Sequence, residues 1–304
     1  MFDLPVTYLL VISFLFSVMS YIVNSLFAKK ISSTGSDFYF FMAVQAVVCG
    51  ITILILSGGI GVITSFSILF GILFGAVCTF QNLSYLRALA IGPFSYTTVI
   101  VSLSAVIPTL SGCIFWNEKI SAGQIVGIVL MVICIALSPD NQQDTGAKKA
   151  SFKWIVLSLV SAILNGAVGV LQKIHQTSEH KEELPVFLIS AFVVMFTIAV
   201  CILIARKIKY KNSTESNISF KFKLSHILIL LGAGVSLGFA HVVNLFLSGK
   251  LPAAVLFPII NICPLVLTTA AATVIFRERL STKRWIGLAV GILSTLFVGG
   301  VIAF

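Results

Sequence analysis

Long apolar segments alternate with short polar ones along the whole chain. The apolar segments are about as long as the ~20 helical residues that cross the hydrocarbon layer of a bilayer. Backbone polar groups in lipid must be bonded within their own segment, so these spans are predicted to be helices. We predict ten spans, numbered 1 to 10 in chain order: 7–28, 38–57, 66–88, 94–115, 121–139, 154–174, 185–205, 225–248, 253–275 and 282–303. The pattern predicts an all-α integral membrane protein.

The composition agrees with a multi-pass protein of the cell membrane, either plasma or inner. Hydrophobic residues make up 58% of the chain and charged residues 10%, and the mean hydropathy is +1.09. A soluble fold could not cover itself with so little polar surface. The longest polar stretches, 140–151 and 206–223, are predicted to be loops. The net charge of +10 is spread over short loops, which indicates contact with lipid headgroups and not with nucleic acid.

One motif occurs twice, displaced by 160 residues. WNEKIS at 116–121 returns as FRERLS at 276–281, and each copy lies between two apolar segments. Residues 1–140 and 141–304 are then two repeats of five spans each. Because five is odd, the second repeat enters the membrane from the opposite side. Inverted repeats of this kind are typical of transporters.

The region around the first copy of the motif resembles a known family. RALAIGP at 87–93, Pro108 and NEKIS at 117–121 are similar to the EamA-type repeat of the drug/metabolite transporter superfamily, and the second occurrence ends in RERLS at 277–281. The resemblance covers essentially the whole chain. It implies a basket-like bundle with a central cavity between the halves, moving small organic solutes by alternating access. No catalytic residue, cofactor or metal is expected.

The charge distribution and the resemblance disagree about orientation. The loops after odd-numbered spans hold 16 of the 20 Lys and Arg residues. The positive-inside rule places that face in the cytoplasm and both termini outside. Members of the resembled family usually have both termini in the cytoplasm. The orientation stays open on the sequence alone.

Polar side chains recur on matching spans of the two halves, chiefly spans 1 and 6 and spans 3 and 8. A polar stripe on such a helix either bonds a neighbouring helix or faces a wet cavity. Both interpretations stay open for any single residue, but the set as a whole favours a cavity bounded by spans 1, 3, 4, 6, 8 and 9. The candidate lining residues are Ser17, Tyr21, Asn24, Gln81, Asn82, Tyr96, Ser102, Ser161, Asn165, His241, Asn244 and Asn261.

Prolines interrupt two of these spans. Pro108 lies in span 4, and Pro258 and Pro264 lie in span 9. An internal proline frees a carbonyl and kinks a helix, which a membrane protein tolerates beside other helices or a wet site. Kinks next to the cavity and ordinary structural kinks both remain possible interpretations.

Spans 5 and 10 carry small residues in place of polar ones. Gly123 and Gly127, and likewise Gly287 and Gly291, have the spacing that lets helix backbones approach closely. Internal packing is the favoured interpretation, with a dimer interface as the alternative. A monomer is therefore favoured over a dimer.

The positions of the acidic residues argue against one class of transporter. All ten lie in loops or at helix ends. Glu118 and Glu278 each precede a serine that can begin the next helix, and they belong to opposite membrane faces. Proton-driven exporters of cations commonly need a carboxylate inside the membrane. Uncoupled or exchange transport of neutral, zwitterionic or weakly anionic metabolites, for example amino acids, is favoured.

His241 supports an alternative hypothesis. It is the one side chain within the predicted spans, and away from their ends, that is expected to gain or lose a proton near neutral pH. A proton-coupled drug or metabolite exporter is therefore the second interpretation. A scaffold, a channel and an enzyme acting on lipid-linked substrates are less favoured. The sequence contains no phosphate-binding loop of the Walker type, so it does not indicate ATP-driven transport.

Overall fold

The computed structural model describes residues 4–32, 34–137, 152–209, 223–275 and 281–298, and within these ranges every regular element is a helix. The helices are α1 (Val6–Leu26), α2 (Gly35–Ser57), α3 (Ser65–Ile91), α4 (Phe94–Trp116), α5 (Ala122–Ala136), α6 (Phe152–Thr177), α7 (Leu184–Lys209), α8 (Leu224–Ser248), α9 (Ala253–Ile275) and α10 (Thr282–Val298). A π-helical turn, Phe27–Ile31, extends α1, and a 3-10 turn, Lys181–Glu183, precedes α7.

Seven helical segments in the described part of the chain are long and apolar enough to cross a membrane. They are α1 with its extension, α2, α3, α4, α6, α7 with its preceding turn, and α8. Shorter apolar stretches lie in α5 and α10. The prediction of an all-helical membrane protein is confirmed for these ranges. Most of the two predicted polar loops, and Glu278 with its motif, lie outside the described residues.

Local sequence signals set several helix ends. Thr34 and Asp37 form a capping box at the start of α2, with the Thr34 N–H donating to Asp37 Oδ2 at 2.8 Å. Gly58, at φ 69°, ends the same helix.

Ser121 and Gln124 form a similar capping box before α5, with bonds of 2.9 and 3.2 Å. Asn117, at φ 52°, ends α4 because Asn tolerates the left-handed region.

The prolines act differently in α4 and α9. A 3-10 turn, Leu103–Ala105, divides α4 just ahead of Pro108, whose missing N–H leaves the carbonyl four residues earlier without its helical donor. By contrast, α9 runs through Pro258 and Pro264 as one helix. Gln124 Nε2 donates to the carbonyl of Ala254, which Pro258 frees, at 3.3 Å. A side chain from α5 therefore repairs one break in α9.

Close backbone contacts hold the helices together. α1 packs on α8, α3 on both α6 and α7, and α2 on α7 and α8. At Gly75 of α3, a Cβ atom would lie 2.4 Å from the carbonyl oxygen of Ala191 on α7, so only glycine permits this approach. α5 packs on α10, where Ser294 Oγ donates to the carbonyl of Gly127 at 2.6 Å. The small-residue face of α5 is thus in contact within the chain.

Apolar side chains fill the interior and also cover the outside. Phe27 and Phe41 are fully buried and stack with their ring centroids 3.9 Å apart. On the outer surface, Ile55, Ile114 and Val274 are at least 71% exposed. An apolar exterior of this kind is the surface that a lipid bilayer requires.

Candidate solute-binding cavity

A cavity of about 110 Å³ lies among α1, α3, α6, α7, α8 and α9. Seven carboxamide side chains line it, together with hydroxyls, one imidazole and apolar groups, and no Asp, Glu, Lys or Arg is among the lining residues. Its polar side chains, apart from Cys78, are Ser17, Ser20, Tyr21, Asn24, Gln81, Asn82, Tyr85, Asn165, Gln172, His241, Asn244 and Asn261. The site is polar but carries no full charge.

Gln45 fixes the amide groups on one side of the cavity. Its side chain is fully buried, and Nε2 donates to the backbone carbonyl of Ala233 and to Asn24 Oδ1, both at 3.4 Å. A carbonyl oxygen only accepts, so the nitrogen of Gln45 must face Ala233. Gln45 Oε1 then accepts from Asn82 Nδ2 at 2.7 Å. This bond places the nitrogen of Asn82 against Gln45, and no donor among the described residues bonds Asn82 Oδ1.

Ser161 fixes the amide group of Gln81 in the same way. Ser161 Oγ donates its proton to the backbone carbonyl of Gln81 at 3.4 Å. The hydroxyl oxygen can then accept, and Gln81 Nε2 donates to it at 3.2 Å. Gln81 Oε1 has no bonded donor among the described residues.

Asn261 fixes the amide group of Asn165. Asn261 Nδ2 donates to the backbone carbonyl of Phe257 at 2.9 Å, so its Oδ1 is the accepting end. Asn165 Nδ2 donates to that oxygen at 3.0 Å and to Ser104 Oγ at 2.7 Å. Asn165 Oδ1 has no bonded donor in the described ranges. In each of the three amide groups the nitrogen donates at least one hydrogen bond, and no donor among the described residues bonds the oxygen.

The imidazole of His241 lies between an amide and two aromatic rings. Its Nδ1 is 3.3 Å from Gln172 Nε2, and Phe74 and Phe192 pack edge-on against it with centroid distances of 5.8 and 5.6 Å. None of the described Asp or Glu residues bonds to this ring. A neutral ring whose Nδ1 accepts from Gln172 and whose Nε2 carries the proton fits these neighbours.

An ion pair joins three segments at one end of the helix bundle. Lys173 Nζ, on α6 directly after Gln172, lies 3.2 Å from Glu118 Oε1 and donates to the carbonyl of Leu251 at 2.8 Å. The N–H of Ala254, in the first turn of α9, donates to Glu118 Oε2 at 3.3 Å. The two side chains are only 8% and 14% exposed. Glu118 therefore stabilises the start of α9, whereas Ser121 begins α5 without it.

Comparison with known proteins identifies the family. The EamA-like transporter family matches residues 8–138 and again residues 152–300. The two matches together cover most of the chain. This chain belongs to the EamA-like transporter family. It is a multi-pass transporter of the cell membrane. Lipid surrounds it, and small solutes are its partners.

The fold is also similar to one already determined by experiment. A crystal structure of a protein that is 14% identical in sequence aligns over 95% of this chain and 96% of the other, with a TM-score of 0.63. At this identity the likeness shows a shared fold and nothing more. No curated protein matches the sequence.

The cavity brings together nine of the twelve residues expected to line it. They are Ser17, Tyr21, Asn24, Gln81, Asn82, Asn165, His241, Asn244 and Asn261. No residue of α4 lines the cavity, although span 4 was expected to border it, and Phe192 and Met195 of α7 are among the lining residues.

The other three expected residues lie outside the lining. Tyr96 packs edge-on against Trp154, with centroids 6.3 Å apart. Ser102 Oγ donates to the backbone carbonyls of Thr98 and Asn261 at 2.8 and 2.9 Å. Ser161 is fully buried behind Gln81. In each case a neighbouring helix occupies the face that was expected to reach the cavity.

Sequence reasoning missed two parts of the site. Gln45 is on α2, whose other residues gave no sign of a site, yet it orients Asn82. Tyr85 follows Gln81 by four residues on α3, and this spacing places both side chains on one face. Its hydroxyl is buried without a hydrogen-bond partner in the described part of the chain. The spacing alone could have identified Tyr85.

Proposed function

We propose that this protein is a secondary transporter that moves small neutral, zwitterionic or weakly anionic organic solutes, for example amino acids. The observation that carries the proposal is a cavity rich in carboxamides with no acidic or basic residue in its lining. A solute with a net charge would lose hydration there without gaining an ion pair, which is costly in a low-dielectric interior. A polar solute without net charge can exchange its water for amide groups.

We infer further that the chain crosses the membrane ten times, as two inverted five-helix halves, 1–140 and 141–304. The two separate family matches support this division. Helices of both halves line the cavity, as transport by alternating access requires.

Transport without proton coupling, or by exchange, is the preferred form of the proposal. His241 is the imidazole of the cavity and supports the alternative of a proton-coupled exporter. Its bonded neighbour is an amide and its packing neighbours are aromatic, which favours a neutral hydrogen-bonding role.

Counterflow with purified protein in liposomes tests the proposal. Vesicles loaded with unlabelled solute are diluted into labelled solute, with a panel of amino acids, nucleosides and sugars. We expect saturable, transient accumulation of one class, and none in protein-free vesicles. Asn82→Leu should weaken the accumulation, because it removes an amide from the cavity lining. Saturable exchange of no solute in the panel would contradict the proposal.

A further inference from the structure

We propose that the cavity holds the primary ammonium group of a small zwitterion on three amide oxygens: Gln81 Oε1, Asn82 Oδ1 and Asn165 Oδ1. The inference rests on the proposed function and deepens it, since it names the group through which the solute is recognised. All three side chains line the same cavity.

The orientation of each amide follows from a backbone carbonyl that can only accept. Asn82 is fixed through Gln45 and the Ala233 carbonyl, and Gln81 through Ser161 and its own carbonyl. Asn165 is fixed through Asn261 and the Phe257 carbonyl, which completes the set. A reversed amide would bring two acceptors or two donors together at Asn82 and at Asn165, and at Gln81 it would draw the Ser161 proton away from the backbone carbonyl. The cavity therefore presents three fixed acceptors.

An ammonium group is the chemical complement of this arrangement. It has three N–H donors and no acceptor, whereas a hydroxyl brings one donor and two lone pairs. Two of the oxygens belong to α3 and one to α6, helices that pack on each other. Carbonyl oxygens can replace the hydration of a cation without carrying a full charge themselves.

The part of the lining that α8 supplies offers donors for an acidic end of the same solute. Ser13 Oγ donates to Asn244 Oδ1, and Asn244 Nδ2 has no bonded acceptor in the described part of the chain. His241, one turn earlier on α8, carries its proton at Nε2 in the tautomer whose Nδ1 accepts from Gln172 Nε2. Because no lining residue balances a net charge, an ammonium group on α3 and α6 is accompanied by a carboxylate facing α8.

Methylation of the amine gives the sharpest test. Counterflow is measured for L-alanine, L-serine and L-phenylalanine, and for the N,N,N-trimethyl derivative of each. The derivative keeps the zwitterionic charges and loses all three N–H donors. We expect the preferred amino acid to exceed its derivative by at least about tenfold in apparent affinity, the loss expected for one or more charge-assisted hydrogen bonds. Glycerol, ribose and adenosine serve as uncharged polar probes.

Variants at Gln81 assign the preference to an oxygen. Gln81→Met keeps the length of the side chain and removes the acceptor, so the preference for the primary amine should fall toward onefold. Gln81→Glu keeps an oxygen in the same place and should retain the preference. Gln124→Met is the matched control, because this amide bonds Ser121 and Ala254 outside the cavity. It should leave the ratio of amine to trimethyl derivative unchanged.

The possible results separate this inference from the proposed function. Saturable exchange with equal preference for amine and trimethyl derivative overturns the inference and leaves the transporter intact. Exchange of only glycerol, ribose or adenosine does the same. Exchange of no probe contradicts the proposed function and the inference with it. A preference that survives Gln81→Met also overturns the assignment to this oxygen.

Discussion

Two buried polar regions of this protein differ in how completely their hydrogen-bonding groups are used. At one end of the bundle, Lys173 and Glu118 bond each other and also bond backbone groups of Leu251 and Ala254. In the cavity, Gln81, Asn82 and Asn165 donate through their nitrogens, and within the described ranges no donor bonds their oxygens. The first region is complete without a ligand, and the second is complete only with one.

The difference follows from the cost of an unbonded polar group. A buried group that loses its partner costs about 1 to 3 kcal/mol, so a fold does not retain open acceptors for stability. Water or a solute must occupy them. Polar residues that satisfy one another therefore indicate structure, and oriented residues with one open end indicate binding.

Breaking the Lys173–Glu118 ion pair should have the largest effect on stability. Lys173→Met leaves the Glu118 carboxylate buried without its cation, and we expect a loss of about 3 to 5 kcal/mol. Thermal unfolding of the protein in detergent micelles measures it. The double variant Lys173→Met, Glu118→Met should recover part of the loss. A loss below about 1 kcal/mol for the single variant would show that the pair is not a structural contact.

Removing Gln45, which orients Asn82, should have the next largest effect on stability. Gln45→Leu removes three hydrogen bonds at about 1 kcal/mol each, for a loss of about 3 kcal/mol. It also frees Asn82 to rotate, so solute affinity should fall although Gln45 does not line the cavity. Unfolding and counterflow on the same preparation separate the two effects. Full solute affinity in a destabilised protein would contradict the orienting role.

The close approach of α3 and α7 should matter slightly less. Gly75→Ala places a Cβ atom 2.4 Å from the carbonyl of Ala191, and forcing the helices apart should cost about 2 kcal/mol. Gly50→Ala is the matched control, because nothing lies within 4 Å of its added carbon. It should be neutral or stabilise the helix by about 0.5 to 1 kcal/mol. Equal unfolding temperatures for the two variants would show that this contact does not constrain the helices.

The smallest effect is expected at the cavity imidazole. His241→Gln keeps a hydrogen-bonding group beside Gln172, so the dependence of exchange on pH should not change. The measurement is counterflow in liposomes at several symmetrical pH values. A pH dependence that disappears in the variant would support proton coupling through His241.

The helices could be predicted from sequence because the apolar runs are long and a bilayer admits few alternatives to a helix. Span 3 was predicted as 66–88 and α3 is Ser65–Ile91. The amides of the cavity were also predictable, since Asn24, Gln81 and Asn244 are conspicuous in apolar helices. What no single helix reveals is which polar groups are already bonded. Ser161 and Gln81 look equivalent in sequence, and only their contact shows that the serine is used internally.

Long-range pairs were the least predictable part. Glu118 was expected at the start of its own following helix, but it contacts Lys173 and the first turn of α9, 136 residues further along the chain at Ala254. The charge of one partner says nothing about the position of the other until the helices are packed. The hydrogen bonds of Gln45 were missed for the same reason, because its partners lie on α1, α3 and α8.

Solute protection of Cys78 tests the central claim most directly. Cys78 lines the cavity, whereas Cys201 is exposed on α7. Two variants are made in which Cys78 or Cys201 is the single cysteine of the chain. Labelling by N-ethylmaleimide is then followed with and without the exchanged solute. At about ten times its Kd, the solute should slow labelling of Cys78 about tenfold and leave Cys201 unaffected. Equal labelling of Cys78 in the presence of a transported solute would contradict the account, because the solute would then bind elsewhere.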